Sequence, residues 1–114
     1  MKGSKSDADA RIEIELKRGL LQLAVLSMAR ERTYGYRLCK SLGDCGLDVE
    51  EGTLYPILRR LESRGLLESL WETGGSRPRK YYVITDHGRE ILALLTGAWK
   101  RIRGALDGVL EQEL

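Results

Sequence analysis

Apolar residues recur along this chain with two different periods, and the change from one to the other divides it. After a polar opening stretch, Leu16, Leu20, Leu23 and Ser27 form one helical column, and Leu21, Val25 and Met28 form a second. A first helix that is apolar around so much of its circumference must be covered on more than one side. Residues 29–32 turn polar, and Thr33 is placed to cap a short second helix with Tyr34, Leu38 and Leu42 on one face, ended by Gly43 and Gly46. Asp48 and Glu51 then have capping-box spacing, with Thr53 as the other candidate cap, ahead of a third stripe of Leu54, Ile57, Leu58 and Leu61 closed by Gly65. Pro56 has no amide hydrogen to give to a helix interior, which favours a start for this third helix near Thr53.

The period then shortens. Residues 66–72 and Lys80 to Ile84 are short runs, the second rich in aromatic and β-branched residues, and both read as strands. The Gly- and Pro-containing segment 73–79 between them predicts a hairpin with an extended tip. Thr85 caps a final helix in which Leu92, Leu95, Trp99, Ile102, Leu106 and Val109 recur at steps of three and four, with Ile91, Ala98 and Ala105 widening the stripe. Three helices, a hairpin and a long helix make a mainly α chain with a small β-hairpin. That is the layout of a winged helix-turn-helix followed by a C-terminal dimerisation helix. The expected organisation is a solvated tail over residues 1–11, the winged domain over 12–84 and the dimerisation helix over 85–114. From Asp86 to about Glu111 the last helix would run ~39 Å, further than a domain of this size extends from its own centre. A two-fold homodimer, in which identical stripes cover each other, is the economical way to bury it.

Composition removes several classes of function. The apolar stretch from Leu20 to Ala29 is interrupted by Gln22 and Ser27 and is much shorter than the ~18 residues that span a bilayer. The opening residues lack the apolar core of a signal peptide, so a cytoplasmic protein with no membrane association is expected. Cys39 and Cys45 are then expected as free thiols, and with the single His87 they cannot complete a four-ligand zinc site. No phosphate loop, dinucleotide fingerprint, metalloprotease or EF-hand pattern occurs, and His87 has no nucleophile at a motif spacing. Neither a cofactor nor an enzymatic activity is expected.

The net charge is only +2, but it is unevenly placed: residues 15–47 carry six basic and three acidic side chains, residues 85–114 four and five. Arg77, Arg79 and Lys80 add three positive charges within four residues beside two glycines. Such a loop suits phosphate or minor-groove contact. On the third helix, Ile57, Leu58 and Leu61 cluster about Leu54, which leaves Tyr55, Arg59 and Arg60 on the far side or its flanks. From there Arg can donate twice to guanine in a major groove, and Thr53 can meet a thymine methyl. Tyr34, at the start of the second helix, reads equally as a phosphate-side residue and as core.

Six ordered segments carry a resemblance: residues 16–20 (LKRGL), 34–38 (YGYRL), 52–62 (GTLYPILRRLE), 65–69 (GLLES), 78–82 (PRKYY) and 85–89 (TDHGR). From Glu15 onward the chain resembles the PadR family of bacterial transcriptional regulators, and its single helix after the hairpin is similar to the short, multidrug-repressor-like subfamily. The resemblance implies a dimeric winged-helix repressor on a pseudo-palindromic duplex site, with an affinity that responds to a small molecule. Short members of this kind sandwich flat aromatic compounds between tryptophans, which makes Trp99 the candidate contact for a planar hydrophobic effector. A packed tryptophan is the plainer reading of a heptad position, and both stay open. So does a winged helix used only for protein–protein interaction, with its basic loop as solvated surface.

Overall fold

A computed structural model describes residues 7–112. The chain runs through α1 (Asp7–Met28), β1 (Thr33–Tyr34), α2 (Gly35–Asp44), α3 (Glu51–Ser63), β2 (Leu67–Glu72), β3 (Arg79–Ile84) and α4 (Asp86–Leu110). It is a winged helix-turn-helix with one long helix appended. The three strands form an antiparallel sheet in the order β1-β3-β2, so the hairpin lies beside a short strand from the start of the second helix.

Three differences from the sequence-based expectation have clear physical causes. The first helix reaches back to Asp7 and takes in part of the stretch expected as tail, with Asp7 and Asp9 placed favourably at its N-terminal dipole. Residues 1–6 of that expected tail, and 113–114 of the last expected segment, lie outside the described residues. Thr33 does not cap α2. It is buried as a strand residue paired with Tyr82, and the N-cap position falls to Tyr34 without a side-chain bond. A two-residue strand has no period of its own and is set by its partner. Finally, α3 begins at Glu51 rather than Thr53, after an N-cap at Glu50 that also makes no side-chain bond. The amides of Thr53 and Leu54 both donate to the Glu50 carbonyl, so Pro56 sits in the second turn. The Gly52 carbonyl that its missing amide would serve belongs to an exposed residue, where water can serve instead.

One core joins these elements. Leu21, Val25 and Leu26 of α1 meet Leu38 and Leu42 of α2, the four expected apolar residues of α3, and Leu67, Tyr82 and Ile84 of the sheet. The second apolar column of α1 thus faces the core, while Leu20 and Leu23 of the first lie half-buried toward α4. Leu16, at the outer end of that column, is 70% exposed.

The junction into α4 is tightly made. Thr85 caps the helix by accepting from the Gly88 amide at 2.9 Å, while its hydroxyl donates to the Gly65 carbonyl at 2.6 Å. Gly88 is buried, and a Cβ there would overlap the Leu66 carbonyl and the Ile84 side chain. Glycine at this position is what lets the helix start flush against the sheet. No helix among the described residues is long and apolar enough to cross a membrane.

Candidate nucleic-acid interface

The hairpin alternates as a strand pair must. Leu67, Ser69 and Trp71 share one face with their partners Ile84, Tyr82 and Lys80. The inner end of that face is core. Ser69, half-buried, donates to Glu62 of α3 at 2.5 Å, and Lys80 reaches the same carboxylate at 3.7 Å. Beyond the core the face opens into a cleft against the exposed side of α3. Tyr34, Tyr36, Tyr55, Arg59, Trp71 and Lys80 line this cleft, which Arg77 and Arg79 extend toward the tip of the hairpin and which includes Glu51 at the start of α3.

Several of these side chains are already held in place. The Arg79 guanidinium lies 4.1 Å from the centroid of the Tyr34 ring, which meets Tyr81 edge-on at 5.5 Å. Arg32 covers Tyr81 at 4.5 Å and also pairs with Glu72 at 3.3 Å. A hydrogen bond to the Tyr81 side chain raises the Arg79 pKa above its ordinary value, so this group is charged throughout the working range. Stacked arginines lose less freedom on meeting a phosphate than free ones do. The Lys80 ammonium stands 5.4 Å from the Tyr82 ring and 3.7 Å from the half-buried Glu62 carboxylate, and it also lines the cleft.

Tyr55 owes its position to a glycine. A Cβ on Gly35 would stand 2.5 Å from the Tyr55 hydroxyl and 2.9 Å from its ring, so the bare backbone at the start of α2 is what admits the phenol. Burial, and then the nearby Glu51, push the Tyr55 pKa up, which keeps it a neutral donor. The same two causes push up the Cys39 thiol, a half-buried residue away from the cleft; Cys45 is exposed and also free.

The structure therefore brings together Tyr34, Tyr55, Arg59, Arg77, Arg79 and Lys80. It does not bring Thr53 and Arg60 into the cleft: the turn of α3 carries them into a neighbouring hollow with Arg18, Gly52 and Pro56. Tyr36 and Trp71 line the cleft and escaped the sequence-based reading. Trp71 was legible in principle, because strand alternation places it on the same face as Leu67 and Ser69. Tyr36 follows from α2 starting at Gly35, which no cap signal announced.

The apolar stripe of α4 meets three different fates. Leu92 and Leu95, expected at a dimer seam, are half-buried and pack partly against the chain's own core. Trp99 is half-buried over a hollow of about 510 Å³ between α1 and α4, lined with it by Leu20, Leu23, Ala24, Leu47 and Thr96 among others. Ile102, Leu106 and Val109 are exposed, at 58%, 45% and 60%.

Residues 23–94, from within α1 to within α4, match the transcriptional regulator PadR-like family. A transcriptional regulator of Mycobacterium tuberculosis is 38% identical over 79 residues, covering 68% of this chain and 74% of that protein. Among solved structures, a PadR family transcriptional regulator of Eggerthella lenta is 47% identical and superposes with a TM-score of 0.83 over 94% of this chain and 96% of its own. A PadR-like transcriptional regulator of Bacillus cereus is 31% identical, with a TM-score of 0.75 over 87% and 99% of the two chains. Sequence, fold and the arrangement of the hairpin against α3 agree: this chain belongs to the PadR-like family of transcriptional regulators, and is not an enzyme.

Proposed function

We propose that the chain is a dimeric DNA-binding repressor whose grip on a pseudo-palindromic site is released by a planar hydrophobic molecule. The observation that carries the reading is the cleft between α3 and the hairpin, where five aromatic and four basic side chains converge on one concave surface. Helix α3 enters the major groove, with Arg59 donating to guanine and Tyr55 beside it, while Arg77 and Arg79 reach the phosphates or the adjacent minor groove. Thr53 and Arg60 act from the flank of α3, on the side shared with Arg18.

Dimerisation is supported by the apolar surface left at the far end of α4. Ile102, Leu106 and Val109 are joined there by Leu110, and the outward column of α1 adds Ile12 and Leu16. Patches of this kind on a small protein mark association surfaces. Two-fold pairing sets two reading helices one DNA turn apart, ~34 Å. The effector enters at Trp99, where the hollow between α1 and α4 has mostly apolar walls.

Fluorescence anisotropy on labelled duplexes, followed by footprinting on genomic DNA, tests the reading. Salt-dependent binding and a protected site with two related halves are expected. Failure to bind duplex at low salt would overturn it in favour of a protein–protein interaction module.

A further inference from the structure

Trp71 lies outside the hydrophobic core of the described residues. It is 62% exposed, with the Lys80 ammonium 6.0 Å from its ring as a loose neighbour. Large aromatic side chains are costly to leave in water, and this one stands on the core-facing side of the hairpin, one step past the end of the core. Its neighbours in the cleft are Tyr55 and Arg59 on α3 and Arg77 and Lys80 on the hairpin.

We propose that Trp71 is a backbone-gripping residue: its indole packs against the deoxyribose of the one DNA strand that passes between α3 and the hairpin. The inference rests on the reading of the cleft as a DNA interface and adds what the cleft holds. When a helix occupies a major groove and the hairpin beside it lies over the neighbouring minor groove, a single sugar–phosphate strand separates the two. That strand has to cross the cleft. Its phosphates repeat on either side of an apolar sugar edge, and the hairpin wall of the cleft offers both kinds of surface, the Trp71 ring and the Lys80 and Arg77 cations, with Glu51 the one acid in the lining. The indole N–H is a donor only, suited to a phosphate oxygen at the rim of the contact. Because the sugar is the same under every base, the contact adds affinity without adding sequence preference, and because the indole is uncharged, it releases no counterions.

This combination separates Trp71 from every arginine in the site. Trp71→Ala should weaken binding to a random-sequence duplex and to the footprinted site by the same factor, about fivefold to tenfold, and Trp71→Phe by less. The slope of log affinity against log salt should not change in either variant. Protein labelled with fluorotryptophan should show a Trp71 fluorine resonance, assigned by its loss in Trp71→Phe, that shifts on saturation with random duplex. If wild-type protein binds duplex but the Trp71 resonance stays put and Trp71→Ala binds within twofold, the proposal fails while the DNA reading stands. A lowered salt slope in Trp71→Ala also overturns it, since the ring would then serve only to place Lys80. If wild-type protein binds no duplex, both readings fall.

Discussion

The winged domain and the outer end of α4 are built from similar apolar residues and end in opposite conditions. Leu54, Leu58 and Leu61 of α3 are almost wholly buried, while Ile102, Leu106 and Val109, at equivalent helical spacing, lie open to water. The difference is one of neighbours. Helix α3 has α1, α2 and β2 around it, whereas the last two turns and more of α4 extend past every other element, and residues 100–112 are exposed without exception. The same kind of stripe is a core where the chain folds over it and open surface where it does not. A radius of gyration of 16.5 Å and a longest dimension of 59 Å express that overhang.

The contrast can be broken from either side. Ile102→Glu combined with Leu106→Glu should give a folded monomer by sedimentation and circular dichroism, and lower affinity for a two-half-site duplex by about 100-fold as the second half-site loses its tethered partner. A dimer that survives this change would place the interface elsewhere. On the other side, Gly88→Ala should cost about 2–3 kcal/mol in urea unfolding, because the added methyl has only the Leu66 carbonyl and Ile84 to push against. Smaller effects sharpen the division of labour within the cleft. Arg59→Ala should lose about 1–3 kcal/mol on the footprinted site with little change on random duplex. Neutralising Arg77 and Arg79 to Gln should act equally on both duplexes, and should reduce the salt slope by about two. An unchanged slope in that pair would remove them from the phosphate contacts.

The parts of the fold that were legible in the sequence are those with a local signature. The α3 stripe, the Thr85 cap, the hairpin strands and the extent of α4 all come from residue spacing or a cap chemistry that does not depend on distant partners. What was not legible depends on partners. Strand β1 exists because β3 presents Tyr81 and Tyr82 to it, and Thr33, a good cap in isolation, is taken by that pairing. Heptad spacing put Leu92 and Ile102 in one stripe, yet only three-dimensional packing decides that α1 covers the first and leaves the second. In the candidate site, charge and aromatic content marked out Arg59, Arg77, Arg79 and Lys80. Trp71 and Tyr36 needed the register of the hairpin and the true start of α2, and Arg60 needed the placing of α3 beside Arg18 of α1.

The flush seating of α4 has a mechanical meaning. With Thr85 and Gly88 clasped to the Gly65–Leu66 corner, the hairpin and the end of α3 are fastened to one end of an unbroken helical rod of about 37 Å. A rod of that length turned by about 5° at its far end sweeps its near end through about 3 Å, close to the rise of a single base pair. In the proposed dimer, an arc that small, produced where two copies meet, is enough to carry the proposed reading helix α3 from one base step to the next.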